Sequence, residues 1–274
     1  MIYCVWYPSG GFGHFINAIL SLYGENFVRP LDTHYKFSDD GSSHNLRKNI
    51  PIYKNQIPFT FDFDLSKNTS VLIDNGITDE GTEFYLTFPN SIKIKLWYSE
   101  IFWPVIAKTS IVKAMRSDIK KELPLDKDKW PDDSDWAVRE KYFLFLRDHQ
   151  FRHAWKSQQD CICIHVEDLR NYRNLRIKLE SAGIKLNDFQ NLWQDWYEKN
   201  NCYYKAVDQA KNVISAIKNN KNYDLTVITD LWEQAVIYYI LWLEYRCEVP
   251  HYDYVNFFKD TDEIKSWLNL VVAV

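Results

Sequence analysis

Glycine is scarce in this chain, 8 residues in 274, and methionine is scarcer, with 2. The 5 cysteines, Cys4, Cys161, Cys163, Cys202 and Cys247, are an odd number, contain no CxxC pair and follow no regular spacing. That excludes a disulfide framework and favours buried free thiols in a reducing compartment, the cytoplasm. Cys161 and Cys163 flank Ile162 in a strand-like run and are expected on opposite faces. Neither sign of charge dominates: 33 Lys and Arg against 37 Asp and Glu leave a formal charge of −4. A general nucleic-acid binder needs a basic surplus, and so does a polybasic membrane-surface protein, so both classes are excluded. Long apolar runs are missing as well. The longest, Ala235 to Leu243, is about half a membrane span and lies between Glu233 and Glu244. The apolar start ends at Pro8 with no basic residue before it, so no targeting segment is expected. A soluble protein is the expectation.

What the chain has is material for a core. Hydrophobic residues make up 46% and charged residues 26%, which excludes wholesale disorder, and aromatics reach 16%. Strand-like segments alternate with helical ones. Ile2 to Tyr7 reads as a buried strand, and Phe15 to Tyr23 as a helix with Gly24 as its left-handed C-terminal residue. Val71 to Asp74 and Ile92 to Tyr98 read as strands, the second nearer a sheet edge. Helices are expected over Phe102 to Met115, with Pro104 in the first turn, and over Asp135 to Trp155. Cys161 to Val166 reads as a strand before Glu167-Asp168-Leu169 and a helix from Arg173 to Ser181. Leu186 to Ala216 reads as mostly helical, and Leu225 to Ile228 as a last short strand. Leu231 to Glu244 is too uniformly apolar for a surface helix. A terminal helix begins at Asp260. This order predicts an α/β fold with three layers and a mostly parallel sheet. One domain over 1–274 is expected, with helical additions and a polar insert or linker near 117–135.

Three of the few glycines, Gly10, Gly11 and Gly13, fall together between the first strand and the first helix. In parallel α/β sheets anions bind there, because backbone N–H groups and a helix N-terminus converge. The loop matches neither GxxxxGK[ST] nor GxGxxG. The alternative is a tight turn with no ligand. His14 at the helix start suits a donor to a transferred phosphoryl or sulfuryl oxygen, or an acid/base near neutral pH. It equally suits a plain first-turn histidine. Ser9 either offers a hydroxyl to the same anion or caps the turn. Lys108 could reach an anion at the strand ends, although a solvated lysine is the default. His149 and His153 have helical ligand spacing but lack the HExxH glutamate, so a solvated basic face is favoured over a metal site. His165 is expected to be a satisfied core histidine. Trp232, Tyr238, Tyr239, Trp242 and Tyr245 have helical spacing and are expected in the core. No metal or redox cofactor is indicated.

The glycine turn after the first strand and the later Ile164-His165-Val166-Glu167-Asp168-Leu169 together resemble the sulfotransferases. That resemblance implies a P-loop-like turn, Ser9-Gly10-Gly11-Phe12-Gly13, around the 5′-phosphosulfate of 3′-phosphoadenosine 5′-phosphosulfate (PAPS). It implies sulfuryl transfer to a hydroxyl acceptor, for instance a carbohydrate, with His14 stabilising charge on the transferring group. Glu167 and Asp168 would orient a helix. The family's basic residue beside the loop is absent. Its Arg and Ser for the 3′-phosphate are replaced by Trp97-Tyr98-Ser99 and Ile106-Ala107-Lys108, which leaves Lys108 as the substitute. Divergent members occur among tailed-phage accessory genes, a source that fits the Lys/Asn-rich composition and would mean host cytoplasm. Gly10-Gly11-Phe12-Gly13-His14-Phe15 also resembles the start of fucosyltransferase-like glycosyltransferases, which bind nucleotide-sugar diphosphates. A non-catalytic viral accessory or structural module is the remaining reading. Its aromatic surface would then be an interface, with which a homo-oligomer is compatible.

Overall fold

A computed structural model describes residues 1–8, 10–28, 52–53, 66–75, 91–114, 134–149, 161–247 and 256–272. Within these the chain forms two compact units that interleave in sequence. The first comprises Met1–Ser99 and His153–Cys202, the second Glu100–Arg152 and Tyr203–Val274. The unit boundaries therefore fall at 99/100, 152/153 and 202/203, outside the polar stretch 117–135, most of which lies outside the described residues.

The first unit is built on a sheet of five strands: β1 (Ile2–Pro8), β2 (Ile52–Tyr53), β3 (Thr69–Asn75), β4 (Ile92–Trp97) and β5 (Ile162–His165), in the order β2-β3-β1-β4-β5. Every pairing is parallel, with Tyr7 in register with Asp74, Trp6 with Lys95 and Lys95 with Cys163. Parallel strands buried on both faces need continuous apolar runs, and β1 is buried from Tyr3 onward. β4 lies between the central β1 and the edge strand β5, nearer the edge than β1.

α1 (Gly13–Tyr23) follows β1 and packs on β1 and β3; it starts two residues before the first apolar position of its stripe. Gly24 ends it, but with φ −69° and ψ 134°, which is extended rather than left-handed. Glycine is needed there for closeness instead: a Cβ would stand 2.4 Å from the Phe27 ring and 2.5 Å from the Leu20 carbonyl oxygen. Gly183, by contrast, has φ +75° after α4 (Tyr172–Glu180). α5 (Gln190–Asn200) completes the unit and lays Trp196 on Phe15, the rings stacked at 4.7 Å.

Alternation along β4 and β5 also settles the thiols. Cys161 and Cys163 are two residues apart, so they share one face, and the Lys95 ammonium interacts with both. The expectation of opposite faces was wrong. All five cysteines are free, but only Cys4 and Cys247 are buried; Cys202 is exposed and the other two are half-buried.

The second unit is helical among the described residues: α2 (Trp103–Ala114), α3 (Asp135–His149), α6 (Lys205–Lys218), α7 (Leu231–Tyr245) and α8 (Thr261–Val272). Pro104 sits in the first turn of α2, where its missing N–H costs nothing. α7 is buried from Trp232 to Leu241 and packs against α3 and α6. Trp232, Tyr238 and Tyr239 are core residues, and Trp242 lies against Tyr239 at 6.0 Å. Three of the five stripe residues are core, as their spacing predicts, whereas Trp242 and Tyr245 are only half-buried.

Leu225 to Ile228 is not a strand. The Thr226 N–H and hydroxyl both donate to Asp224 Oδ1, at 2.9 and 2.6 Å, and the Ile228 N–H donates to the Leu225 carbonyl at 3.0 Å. The Asp224 side chain thus makes a turn from a β-branched run and leaves Val227 67% exposed. Among the described residues no helix is long and apolar enough to cross a membrane.

Candidate functional site

The strand order places β1 where the chain reverses direction. From β1 it passes to β2 at the edge and then back to β3 on one side, and later to β4 and β5 on the other. Ligands of open parallel sheets bind in the crevice beyond the carboxyl ends of the strands at such a switch point. Here those ends are Tyr7-Pro8 on β1 and Trp97 on β4, with the glycine turn directly after Pro8.

The turn has an unusual backbone. The Gly11 N–H donates to the Pro8 carbonyl at 2.7 Å, closing a turn in which Gly10 has φ +83°. Phe12 then has φ +63° and ψ 22°, left-handed for a bulky aromatic residue. Such a residue is a conformational outlier, costing about 1–2 kcal/mol. Packing holds it: Phe12 is buried and its ring meets Trp196 edge-on at 5.2 Å. Left-handed φ thus stands at Gly10 and Phe12, on either side of Gly11, whose own N–H is taken by Pro8. Among the described residues no side chain caps α1, and its first turn carries no acidic residue.

Two of the three glycines have packing roles as well. A Cβ on Gly11 would lie 2.8 Å from the Pro8 ring, and one on Gly13 would lie 2.1 Å from the Tyr7 ring. Gly11, Phe12, Gly13 and His14 are all buried, and Gly10 is half-buried. Ser9 lies outside the described residues.

His14 is 5% exposed, and its Nε2 is 3.1 Å from the Tyr7 hydroxyl in a hydrogen bond. Tyr7 is a partner that sequence reading missed. Also missed was the polar stripe to which His14 belongs: His14, Asn17 and Ser21 recur at helical spacing and are all buried on α1. Ser21 Oγ and Ser70 Oγ on β3 share a hydrogen bond of 2.8 Å. Asn17 is fully buried, yet neither end of its carboxamide has a hydrogen-bond partner among the described residues. Leaving a buried polar group unmatched costs about 1–3 kcal/mol. The apolar positions of the helix were legible; the signal for this stripe was the polar residues left between them.

Within the second unit the Lys108 ammonium stands over the Trp232 indole, 5.9 Å from its centroid. Of the His149 and His153 pair, the His149 side chain and all of His153 lie outside the described residues. Among the described residues no cluster of three or more His, Cys, Asp or Glu could hold a metal ion.

His165 is half-buried at the end of β5. Its Nε2 faces the Ser99 N–H at 3.0 Å, and its Nδ1 faces the Glu167 N–H at 3.2 Å. A neutral imidazole has one acceptor nitrogen, so the two N–H groups compete for it, and an imidazolium could serve neither. Asp168 accepts from the His165 N–H at 2.9 Å and pairs with Lys178 at 2.5 Å. It thus fastens the 3-10 turn Val166–Arg170 to α4, a structural role.

Burial also shifts two groups on β4 and just after it. Lys95, 4% exposed and 4.6 Å above the Trp6 ring, is held below the usual lysine range by burial, with Cys161 and Cys163 opposing. Burial pushes the Tyr98 phenol far above its ordinary value. Neither protein-family models nor curated proteins nor solved structures show a significant match to the chain.

Proposed function

We propose that the chain binds the phosphate end of a nucleotide-type ligand at the glycine turn, and that its closest activity is sulfuryl transfer from PAPS to a hydroxyl acceptor. The three-layer arrangement and the P-loop-like character of the turn belong to this proposal. The observation that carries it is the turn's backbone: left-handed Gly10 and Phe12 before an uncapped helix, at the switch point of a parallel sheet. Strain of this kind collects at ligand clamps, and a helix N-terminus favours an anion. In this reading the backbone from Gly10 to Gly13, with the Ser9 hydroxyl, holds the anion. His14, oriented by the Tyr7 hydroxyl, donates to the transferring group. The sulfotransferase assignment rests on the motif resemblance alone.

A second reading has its own support. Gly11 and Gly13 are accounted for by packing against Pro8 and Tyr7, and the turn is largely buried. That favours a non-catalytic module. A thermal-shift titration with adenosine 3′,5′-bisphosphate, beside a nucleotide diphosphate, separates them. Native-state binding raises the midpoint, by about 2.7 kcal/mol of stabilisation at a hundredfold excess over Kd. A saturable rise with the bisphosphate is expected. A response to the diphosphate alone favours a glycosyltransferase, and no response to either at millimolar concentration favours the module.

A further inference from the structure

Asn17 lies three residues after His14 and four after Gly13, and so shares their face of α1. Along that face the His14 Nε2 meets the Tyr7 hydroxyl at 3.1 Å, and Ser21 meets Ser70 at 2.8 Å. Asn17 stands between them fully buried, with both the donor and the acceptor of its carboxamide unmatched among the described residues. Selection for stability alone would place a leucine or methionine here, since an apolar side chain of similar size loses nothing on burial. Helical side chains lean toward the helix N-terminus, so this carboxamide leans toward the first turn of α1, which follows the glycine turn in the chain.

We propose that the Asn17 carboxamide is a ligand-binding group of the glycine-turn site; this rests on the reading that the turn holds a phosphate-type anion. Its NH2 donates to an oxygen of the group held at the start of α1. Its carbonyl can only accept, so it selects a ligand with a neutral donor, a hydroxyl or amine, close to that anionic oxygen. A second anion in the same place would meet the carbonyl oxygen and be repelled. Away from water such hydrogen bonds are stronger, which makes a single amide effective in selection.

Asn17→Leu tests this, because the replacement keeps the four side-chain heavy atoms branched at Cγ and removes both polar groups. The thermal midpoint without ligand and the Kd for adenosine 3′,5′-bisphosphate by calorimetry are measured on the full chain. The expected result is a midpoint equal to or above the wild type, together with a Kd weakened at least about tenfold. A midpoint lowered by several degrees overturns the proposal, because the amide would then be serving the fold, for example through an ordered water. A Kd within about twofold of the wild type overturns it too. If the wild type itself does not bind the bisphosphate, the glycine-turn reading fails, a result distinct from binding that persists in the variant.

Discussion

α1 and α7 are both buried along most of their length, yet their amino ends are closed in opposite ways. Asp230 caps α7 by accepting from the Glu233 N–H at 2.9 Å. The buried Glu233 pairs with Lys205 at 2.8 Å. Gln234 donates to the Ile228 carbonyl at 2.7 Å and accepts from Arg139 at 2.8 Å. Only the Trp232 indole N–H in that turn lacks an acceptor among the described residues. α1 has no side-chain cap, begins from a left-handed phenylalanine and buries an asparagine with no partner among the described residues. The protein thus closes one helix end with its own side chains and leaves the other to its backbone. The first pattern is what stability alone selects. The second, at the carboxyl edge of a parallel sheet, carries a left-handed phenylalanine and an unmatched amide that stability alone would not select.

The sharpest way to break this contrast is Gly13→Ala. Its new methyl would lie 2.1 Å from the Tyr7 ring. Backbone and ring must both shift, at about 3 kcal/mol, lowering the thermal midpoint by roughly 6–12 °C. A shift under a degree would show that α1 and β1 are not fused as described. Next in size is Ser21→Ala, which strands the buried Ser70 hydroxyl and costs about 1–2 kcal/mol in urea unfolding. Adding Ser70→Ala should recover part of that loss, and strict additivity would mean that the two hydroxyls do not interact.

Asp230→Ala then measures the cap that α7 has and α1 lacks, with about 1 kcal/mol expected by the same method. The smallest effect concerns acid. The Glu263 N–H, above all, holds the Asp260 carboxyl below its ordinary value of 3.8. The Tyr172 and Thr226 hydroxyls do the same for Asp188 and Asp224. A carboxyl lowered on folding stabilises fully above its unfolded value, and that contribution disappears as pH falls through the lower folded value. Urea midpoints should therefore drop between about pH 5 and about pH 3, and Asp260→Asn should reduce the drop, since it keeps a capping oxygen and removes the charge. An undiminished drop would assign the acid sensitivity to other groups.

Much of the contrast was legible in the residues. The β1, glycine turn and α1 sequence was readable because period-2 and period-3.6 patterns are local. Asp260 before α8 was readable for the same reason, as a side chain that bonds N–H groups two and three residues on. Gly24 was placed correctly as a helix end but given the wrong backbone, because the demand on it comes from Phe27 and not from φ. Val227 was read as strand because β-branched residues favour strands, whereas Asp224 turns the chain there, and the backbone pairing with the segment before α8 stops at Asp224 and Leu225. The Tyr7 partner of His14 was hidden for a different reason: seven residues separate them, and only the turn folds the helix back over its own strand.

By itself the sequence determined the α/β class, the position of the first turn and the core character of α7, because each follows from short-range patterning and turn chemistry. Only the tertiary structure decided the order β2-β3-β1-β4-β5, the placement of Lys95 beside Cys161 and Cys163, and the isolation of the Asn17 amide. Parallel strands pair residues far apart in the chain, and whether a buried polar group is matched depends on what those distant residues bring to it.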